Sequence, residues 1–399
     1  MKGVILKKIV LVLVSMLLLG GAFAQELTVW THFGEGDLEW LEEQTAGFEA
    51  AFGVTVNIVA VDLGEIKQKM LLSAPEGEAA DLIVPIPHDQ IGEMAVGGVL
   101  ADMTGYATSD YLTDLNEQAQ LAFSFNSKLF GLPMYIEGPA LVMNTDLVAE
   151  TPSSLEEMLA TAQELTTDET SGFLYDIGNL YFSYVWIKSD GGYVFARDDN
   201  GDLVASDIGL NNEGAIEGVN FMKSLRYDYE LIPSGVDFAV ADGQFIDGNL
   251  AMIYNGPWAI SNYRDAGINV AVAPIPPAED GTTFSGFMGV QGILMNEFSE
   301  NKIDAANFAK WITRADAQVS LAEISGKIPA SNSAAEAVSD DPVIAGFAAA
   351  LADAEPMPNI PEMGNVWAPV GDAMTVILDS AESDVAGELN NAVEQINGN

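Results

Sequence analysis

The first third of the chain alternates between two hydrophobic periods, one typical of strands and the other of helices. Strands are predicted where short apolar or β-branched runs occur, at 27–30, 54–61 and 81–84. Helices are predicted where apolar side chains recur every three or four residues, at 37–52, 63–72 and 89–96. Because predicted strands and helices alternate, this part of the chain favours an α/β fold with a parallel sheet covered on both faces.

The rest of the chain contains further helices and several points where it passes between two units. Proline and glycine interrupt β-type residues at the expected crossings, which are 131–143, 271–295 and 340–342. Between the first two crossings, helices are predicted at 152–165 and 212–227, and Asn200-Gly201 predicts a hairpin turn. The helix that contains Phe308 would then belong to the first unit again.

The length of the chain indicates two bodies. A chain of 399 residues exceeds what one hydrophobic core usually organises. We therefore predict an α/β protein of two lobes with several crossings, an arrangement that allows hinge closure around a ligand. The first lobe is predicted at 25–136 and 289–338, and the second at 137–288 and 339–399.

The N-terminal residues predict secretion. Three lysines precede an apolar run over 9–19, and Ala22-Phe23-Ala24 follows it. A basic start, a short apolar stretch and an A-x-A site are typical of a signal peptide, here 1–24, with a retained anchor helix as the alternative. No later segment reaches a membrane-spanning length. Because the chain has no cysteine to carry a lipid, we expect a protein retained in a periplasm.

The charge balance excludes several kinds of partner. The chain has 15 basic against 59 acidic residues and a formal charge of −44, which would repel nucleic acid and anionic lipid. This self-repulsion suggests adaptation to high salt, with an ordinary acidic periplasmic protein as the alternative.

The composition also leaves metal and hydrolase chemistry without candidates. The absence of cysteine excludes disulfides and thiolate metal sites, and the histidines at 32 and 88 do not make a zinc site. The acidic run at 198–202 lacks the spacing of a calcium loop and is read as a hairpin turn. We find no Walker lysine and no G-x-S-x-G motif. No metal or cofactor is therefore predicted.

Two tryptophans follow rigid turns. The segment MPNIPEM at 357–363 is stiffened by two prolines, and Trp367 follows it at the start of a predicted amphipathic helix. Trp258 follows Asn255-Gly256-Pro257 in the same manner. Large flat rings at such junctions suit ligand platforms, whereas Trp311 lies in an apolar helix and is predicted to be core.

Together with Asp190-Gly191-Gly192-Tyr193, these motifs resemble the maltose/maltodextrin-binding proteins of bacterial ABC importers. The resemblance runs from about Leu27 to the end, and several separate motifs occur in the order that the family has. It implies the two-lobed periplasmic-binding-protein fold (Venus flytrap) and a periplasmic receptor, a monomer without catalytic activity. Such a receptor would enclose a maltodextrin by lobe closure and deliver it to membrane permease subunits.

The resemblance also implies a set of binding residues. Sugars pack their C–H faces on aromatic rings and offer hydroxyl groups to carboxylates and amides. By position, Tyr181, Trp258 and Trp367 match the stacking rings of the family, while Asp89 and Glu137 match the carboxylates that contact glucose hydroxyls. His88, which precedes Asp89, and Asn179, which stands at the position of the family's glutamate before the tyrosine, complete the predicted set.

The chain departs from the family pattern at several polar positions. Glu35 or a neighbour stands where well-known members have a lysine, and Ile86, Gln90 and Asn179 replace a tryptophan, an arginine and a glutamate. Ala368 and Gly371 replace a common aromatic and a common arginine. Several polar contacts must therefore differ from those of the family. A receptor for another oligosaccharide, such as trehalose or another glucoside, is the alternative function. A secreted glycoside hydrolase is the alternative from a different class, since it too needs aromatic rings and paired carboxylates.

Overall fold

A computed structural model describes residues 26–199 and 201–398, apart from the side chain of Glu35. The predicted signal peptide and Asn200 of the predicted turn lie outside these residues. The α-helices of the described part are α1 Glu35–Phe52, α2 Leu63–Ser73, α3 Ile91–Val96, α4 Ser109–Asp114, α5 Glu117–Ala122, α6 Leu155–Leu165, α7 Leu180–Ser189, α8 Glu213–Tyr227, α9 Phe238–Ile246, α10 Ile260–Asp265, α11 Lys302–Ile312, α12 Ala315–Ser325, α13 Asn332–Ala337, α14 Pro342–Ala350, α15 Trp367–Asp379 and α16 Val385–Gly398. Short 3-10 helices occupy His88–Gln90, Pro257–Ala259 and Pro361–Asn365.

The strands form two main sheets and two small hairpins. The strands are β1 Glu26–Thr31, β2 Thr55–Ala60, β3 Leu82–Pro87, β4 Ser124–Phe125, β5 Lys128–Leu129, β6 Gly131–Glu137, β7 Ala140–Asn144, β8 Ser171–Leu174, β9 Ala196–Arg197, β10 Leu203–Val204, β11 Leu250–Asn255, β12 Val270–Ala273, β13 Phe287–Met295, β14 Ile328–Pro329 and β15 Glu355–Pro356. The first sheet has the order β14-β6-β13-β3-β1-β2, with β15 beside β13, and the second has the order β12-β7-β11-β8. The hairpins are β4–β5 and β9–β10.

The first sheet is mixed. Strand β1 runs parallel to β2 and β3, which confirms the parallel arrangement predicted for the first third of the chain. Strand β13 arrives from much later in the chain and lies antiparallel between β3 and β6. All nine residues of β13 are buried, since this strand occupies the centre of the sheet. The late strand makes the sheet mixed, a feature that the local sequence pattern did not predict.

Each sheet organises its own hydrophobic core. The buried residues up to Ile136 pack in the core of the first lobe, and those from Ala140 to Phe287 pack in the core of the second. The next buried residue, Met288, packs in the first core again. After Ala330 the chain passes to the second lobe once more, and Val343 is the next residue buried in the second core. The fold is therefore the two-lobed α/β arrangement of periplasmic binding proteins, while the predicted residue boundaries of the lobes stay predictions.

The proline-rich segment makes an additional passage between the lobes. Leu351 packs in the first core, β15 pairs with β13, and Met363 packs in the second core. The Asn359 side-chain amide donates hydrogen bonds to the backbone carbonyls of Ala122 (3.0 Å) and Ser124 (2.9 Å). This segment, 351–363, is fastened to the first lobe and delivers the chain to α15 of the second.

Most helices predicted from periodicity are present. Helix α1 covers the predicted 37–52, and α2, α6 and α8 lie within or beside their predicted ranges. The helix predicted at 89–96 is divided into a 3-10 turn, His88–Gln90, and the α-helix α3. Within the described residues, no helix combines the length and apolar character needed to cross a bilayer.

Candidate functional site

A cavity of about 930 Å³ lies between the two lobes. Its first-lobe wall is mostly polar and includes His32, Asp37, Pro87, Asp89, Gln90, Tyr135, Glu137, Gln291 and Lys327. Its second-lobe wall is mostly aromatic and includes Tyr181, Phe182, Trp258, Ser261, Asn262 and Trp367. The structure therefore brings together five of the seven predicted binding residues, from five distant parts of the chain.

Asp89 lies in the 3-10 turn that follows β3, where the carboxyl end of the strand meets the cavity. Burial raises the pKa of the Asp89 carboxyl to about 7, against the opposing effects of the Lys67 charge and the Trp367 side chain. One of its oxygens, Oδ1, is buried without a hydrogen-bond partner among the described residues. A hydroxyl group that donates to this oxygen would replace the lost hydration.

Glu137 ends strand β6, at the first passage between the lobes. Burial raises the pKa of its carboxyl to about 7, opposed by the positive charge of Lys327 and by a hydrogen bond from Gln291. In that bond the Gln291 side-chain amide donates to Glu137 Oε1 over 2.7 Å. A carboxylate at a hinge that also faces the cavity can couple ligand contact to lobe position.

Tyr181 enters the cavity from the first turn of α7, and Asn179 holds this turn in place. The Asn179 side chain accepts a hydrogen bond from the Tyr181 backbone N–H (3.0 Å), and its amide donates to Asp176 (3.2 Å). Asn179 is thus the N-cap of α7 and does not line the cavity. Its predicted ligand contact is corrected to a positioning role, because both halves of its side chain are engaged locally.

The backbone of Gly289 lies close to both Tyr181 and Glu137, on the surface of the cavity. A Cβ added at Gly289 would lie 3.6 Å from both the Tyr181 hydroxyl and Glu137 Cγ. The ring centroids of Tyr181 and Trp258 are 6.0 Å apart. An aromatic surface and a carboxylate therefore face the same space from opposite lobes.

Trp258 folds back over the backbone of its own turn. A Cβ added at Gly256 would lie 2.1 Å from the indole ring, so this ring position requires glycine. Asn255 supports the turn, since it is buried and its side-chain oxygen accepts a hydrogen bond from the Gly256 N–H (2.8 Å). The Asn-Gly-Pro-Trp motif thus places the indole against the cavity, in agreement with the turn predicted from the sequence.

Trp367 begins helix α15, four residues after the end of the proline-rich segment. Its ring lies 6.2 Å from that of Phe287, at an interplanar angle of 65°. Phe287 is the first residue of strand β13, and its ring stacks on that of Tyr184 with the centroids 3.8 Å apart. The Trp367 platform is therefore supported by the core of the second lobe. Trp311 is partly buried against the first-lobe core, as predicted.

His88 does not face the cavity. Its ring is fully buried: Nδ1 accepts a hydrogen bond from the Val290 N–H (3.1 Å), and Nε2 lies 2.8 Å from the Met357 carbonyl. Burial lowers its pKa to about 4, so the neutral ring donates from Nε2 to that carbonyl. The predicted ligand contact at His88 is therefore corrected: this residue fastens the proline-rich segment to the first lobe.

The first-lobe wall contains buried polar atoms that have no hydrogen-bond partner among the described residues. The atoms of this kind that belong to cavity-lining residues are His32 Nε2, Asp37 Oδ1, Asp89 Oδ1, Gln90 Oε1 and Gln291 Oε1. All the oxygens are acceptors, which indicates a ligand rich in hydrogen-bond donors. Within the same part of the chain, no cluster of three acidic or histidine side chains is arranged to hold a metal ion.

Sequence reasoning missed several lining residues, namely His32, Asp37, Phe182, Ser261, Asn262, Gln291 and Lys327. Some carried a usable signal, because His32 directly follows β1 and Gln291 is a polar residue within a buried strand. Lys327 follows α12 without any local pattern that would separate it from a surface lysine.

Two α/β lobes with one polar and one aromatic wall facing a shared cavity define a two-lobed solute-binding protein. Residues 43–346 match the sequence profile of bacterial extracellular solute-binding proteins, and the chain belongs to that family.

Solved and curated relatives agree with this assignment. The structure of a Thermus thermophilus maltotriose binding protein bound with maltotriose is 45% identical in sequence, with a TM-score of 0.90, and the match covers 93% of this chain and 99% of that one. A galactooligosaccharide-binding protein of Bacillus subtilis is 29% identical, with 94% of this chain and 89% of the relative covered. A maltooligosaccharide ABC transporter solute-binding lipoprotein of Streptococcus pneumoniae is 28% identical over the same shares.

Proposed function

We propose that this protein binds a maltooligosaccharide between its lobes and presents it to the permease of an ABC importer. The observation that carries the proposal is the pairing of buried, unsatisfied acceptors on one wall with aromatic rings on the other. A glucan unit fits both walls, because its hydroxyl groups donate hydrogen bonds and its C–H faces pack on rings.

The proposed residue roles follow from placement. Asp89, Glu137, Gln90 and Gln291 would accept hydrogen bonds from sugar hydroxyls, while Tyr181, Trp258 and Trp367 would pack against sugar rings. The ligand would bridge the lobes, so it would bind the closed form more tightly than the open form. Only this differential affinity shifts the equilibrium toward closure.

The choice of sugar rests on the relatives. The Thermus thermophilus neighbour contains maltotriose, and its match extends over nearly the whole of both chains. The Bacillus subtilis relative, named for galactooligosaccharides, makes a galactooligosaccharide the second candidate. Trehalose and other glucosides remain alternatives because the polar contacts differ from the family pattern.

We further propose that the protein is exported by its N-terminal segment 1–24, acts in the periplasm as a monomer, and binds without turnover. Its partners would be the sugar and the membrane permease subunits. The negative charge of the whole chain argues against nucleic acid as a partner.

Calorimetric titration with maltotriose, maltose, trehalose and a galactooligosaccharide tests the proposal. We expect maltotriose to bind most tightly and small-angle scattering to show a more compact protein when it is bound. A folded sample that binds none of the α-glucans would contradict the assignment. Preferential binding of the galactooligosaccharide would establish the second candidate.

The hydrolase alternative requires a separate measurement. The pure protein is incubated with maltotriose, and the products are separated by chromatography. We expect the trisaccharide to remain intact, whereas sustained release of glucose and maltose would show an enzyme.

A further inference from the structure

A polar network lies behind the aromatic wall of the cavity. It consists of three side chains from neighbouring elements of the second lobe: Asp242 in α9, Asn255 at the end of β11 and Tyr263 in α10. Asn255 and Tyr263 are buried, and Asp242 is half-buried. None of the three lines the cavity, and Asp242 and Tyr263 have no part in the binding roles proposed above. We call these three side chains the Asn255 network.

Hydrogen bonds join the members of the Asn255 network to one another and to the backbone. The Tyr263 hydroxyl donates to Asp242 Oδ1 over 2.7 Å. The Asn255 side-chain nitrogen donates to the same carboxylate oxygen (3.2 Å) and to the Tyr263 hydroxyl oxygen (2.8 Å). The Asn255 side-chain oxygen accepts from the Gly256 N–H (2.8 Å). Both ends of the Asn255 amide are therefore engaged.

The Asp242 carboxylate decides which way the Asn255 amide faces. An ionised carboxylate only accepts hydrogen bonds, so the amide nitrogen must face Asp242 and the amide oxygen must face away from it. The oxygen then meets the Gly256 N–H, which is the one backbone donor of the pair Gly256-Pro257, because proline has no N–H. Burial raises the pKa of the Asp242 carboxyl, but the hydrogen bonds from Tyr263 and Asn255 oppose this shift and favour the charged form.

The direction of this amide matters for the Trp258 ring. Gly256 is held at both of its backbone groups, because its N–H donates to Asn255 and its carbonyl accepts from the Ala259 N–H (3.2 Å). The Trp258 indole folds over this glycine, and a Cβ added at Gly256 would lie 2.1 Å from the ring. A shift of the Gly256 backbone would therefore displace the indole.

A role limited to helix packing does not account for the Asn255 network. The Tyr263 ring is fully buried and its centroid lies 4.4 Å from that of Phe245, so ring packing already joins α10 to α9. The Tyr263 hydroxyl adds a buried polar group to this contact, and such a group is unfavourable unless it is hydrogen-bonded. Its partners lead from α9 through Asn255 to the turn that carries Trp258. The polar side chains therefore act on the position of that turn.

We propose that Asp242 and Tyr263 are positioning residues, which act on the sugar site without touching the ligand. They hold the Asn255 amide in one direction, and this amide in turn fixes the Gly256 backbone and the Trp258 indole. The inference rests on the proposed sugar-binding function. It extends the determinants of sugar affinity to side chains outside the cavity.

Tyr263→Phe tests the proposal, because it removes one hydroxyl group and keeps the ring that packs on Phe245. We expect its maltotriose affinity to fall by about three- to tenfold, as for the loss of one hydrogen bond. Tyr227→Phe is the matched control, since the Tyr227 hydroxyl donates to the Leu378 carbonyl (2.9 Å) in the same lobe and Tyr227 does not line the cavity. Thermal melting confirms that each variant is folded. Equal affinities of the two variants would overturn the proposal.

A double-mutant cycle separates positioning from a general loss of stability. When Tyr263→Phe is added to Trp258→Ala, the maltotriose affinity should not fall further, because the indole that Tyr263 positions is gone. Calorimetry on the wild type, the two single variants and the double variant measures this. Losses of affinity that add in the double variant would show that Tyr263 acts independently of Trp258 and would refute the proposal.

The indole can also be followed without any sugar. The Trp258 indole N–H resonance is assigned in a proton–nitrogen NMR spectrum by its absence from Trp258→Phe. We expect Tyr263→Phe to move this resonance, and Tyr227→Phe to leave it in place. Asp242→Asn is a second variant of the Asn255 network, since the new amide can offer a donor to Asn255 and allow its amide to reverse. It should move the Trp258 resonance as well.

The outcome of this spectrum is independent of the proposed function. A Trp258 resonance that stays in place in both Tyr263→Phe and Asp242→Asn would overturn the positioning role, whatever the protein binds. The proposed function fails on a different measurement, namely a wild-type protein that binds none of the linear α-glucans. The two failures are therefore distinguishable.

Discussion

At the scale of single residues, burial raises the pKa of both cavity carboxyls, Asp89 and Glu137. Asp89 and Glu137 are both desolvated, and in each case burial outweighs a nearby lysine. The pKa of each is raised to about 7, from ordinary values of 3.8 and 4.5 respectively. Hydroxyl groups that donate to the ionised forms would lower these values again, because hydrogen bonds to a carboxylate favour its charged state.

This situation predicts a pH dependence of stability. From about pH 4.5 to 7 the unliganded folded protein holds protons that the unfolded chain has released, so the free energy of unfolding falls as pH rises through this window. Well above pH 7 these carboxyls are ionised in both the folded and the unfolded protein, so their effect on the free energy of unfolding no longer changes with pH. Denaturant unfolding of wild type and Glu137→Gln across this range checks it, because the variant should show a shallower decline. Parallel curves would contradict the desolvation argument.

The same protons affect binding. Because sugar hydroxyls favour the ionised carboxyls, maltotriose affinity should increase between pH 5 and 7.5, with protons released on binding. Calorimetry in two buffers of different ionisation enthalpy measures this release. If the affinity depends on pH in wild type but not in Asp89→Asn and Glu137→Gln, the pH dependence is assigned to these two carboxyls.

The aromatic wall gives a prediction of its own. Trp258→Ala should weaken maltotriose binding by about 1–3 kcal/mol, or roughly 5- to 150-fold, because the sugar loses its stacking surface. Trp311→Phe is the control: the Trp311 indole donates to the Gln44 carbonyl (2.9 Å) and packs on the first-lobe core, away from the cavity. Fluorescence titration compares the two. Unchanged affinity in Trp258→Ala would remove this residue from the site.

Residue type could be predicted from the sequence more reliably than side-chain direction. Trp258 and Trp367 were predicted as ligand platforms from their rigid turns together with the family resemblance, and both line the cavity. His88 and Asn179 were predicted from their places beside Asp89 and in the family pattern, yet the His88 ring is held by backbone groups and the Asn179 side chain caps α7. Lys327 reaches the site only because α12 packs against α1, a contact that no local pattern encodes.

At the scale of elements, periodicity predicted the regular parts of the fold. The helices α1, α2, α6 and α8 carry the expected spacing of apolar residues. The mixed first sheet was not predictable in the same manner, because β13 joins β3 and β6 across a long stretch of sequence. Its central position depends on tertiary pairing rather than on its own composition.

The turn before Trp258 gives a prediction at this scale. Gly256→Ala should weaken maltotriose binding, because the added methyl group would overlap the indole and force it from its place. The backbone itself tolerates alanine, since φ at this residue is −102°. Gly371→Ala in α15 is the control, because a Cβ there meets no atom within 4 Å and alanine favours a helix. Equal affinity of the two variants would show that the indole position is unimportant.

At the scale of the whole molecule, repeated passages of the chain join two separately packed cores. The passages at 137–139, 286–288 and 351–363 converge on β13, where Glu137, Phe287 and β15 are neighbours. The hinge and the ligand cavity therefore share residues. This convergence explains how a contact with a sugar hydroxyl could favour the closed arrangement, since Glu137 belongs to both.

The net charge acts on the molecule as a whole. With 59 acidic and 15 basic residues, most carboxylates lack a cationic partner even if every basic residue forms an ion pair. Their mutual repulsion extends over about 10 Å at 0.1 M salt and about 3 Å at 1 M, so screening should relieve it. We therefore expect a higher melting temperature in molar KCl than in dilute buffer. Sucrose, an uncharged stabiliser, provides the comparison: an equal or lower melting temperature in KCl, alongside a rise in sucrose, would show that repulsion does not limit stability.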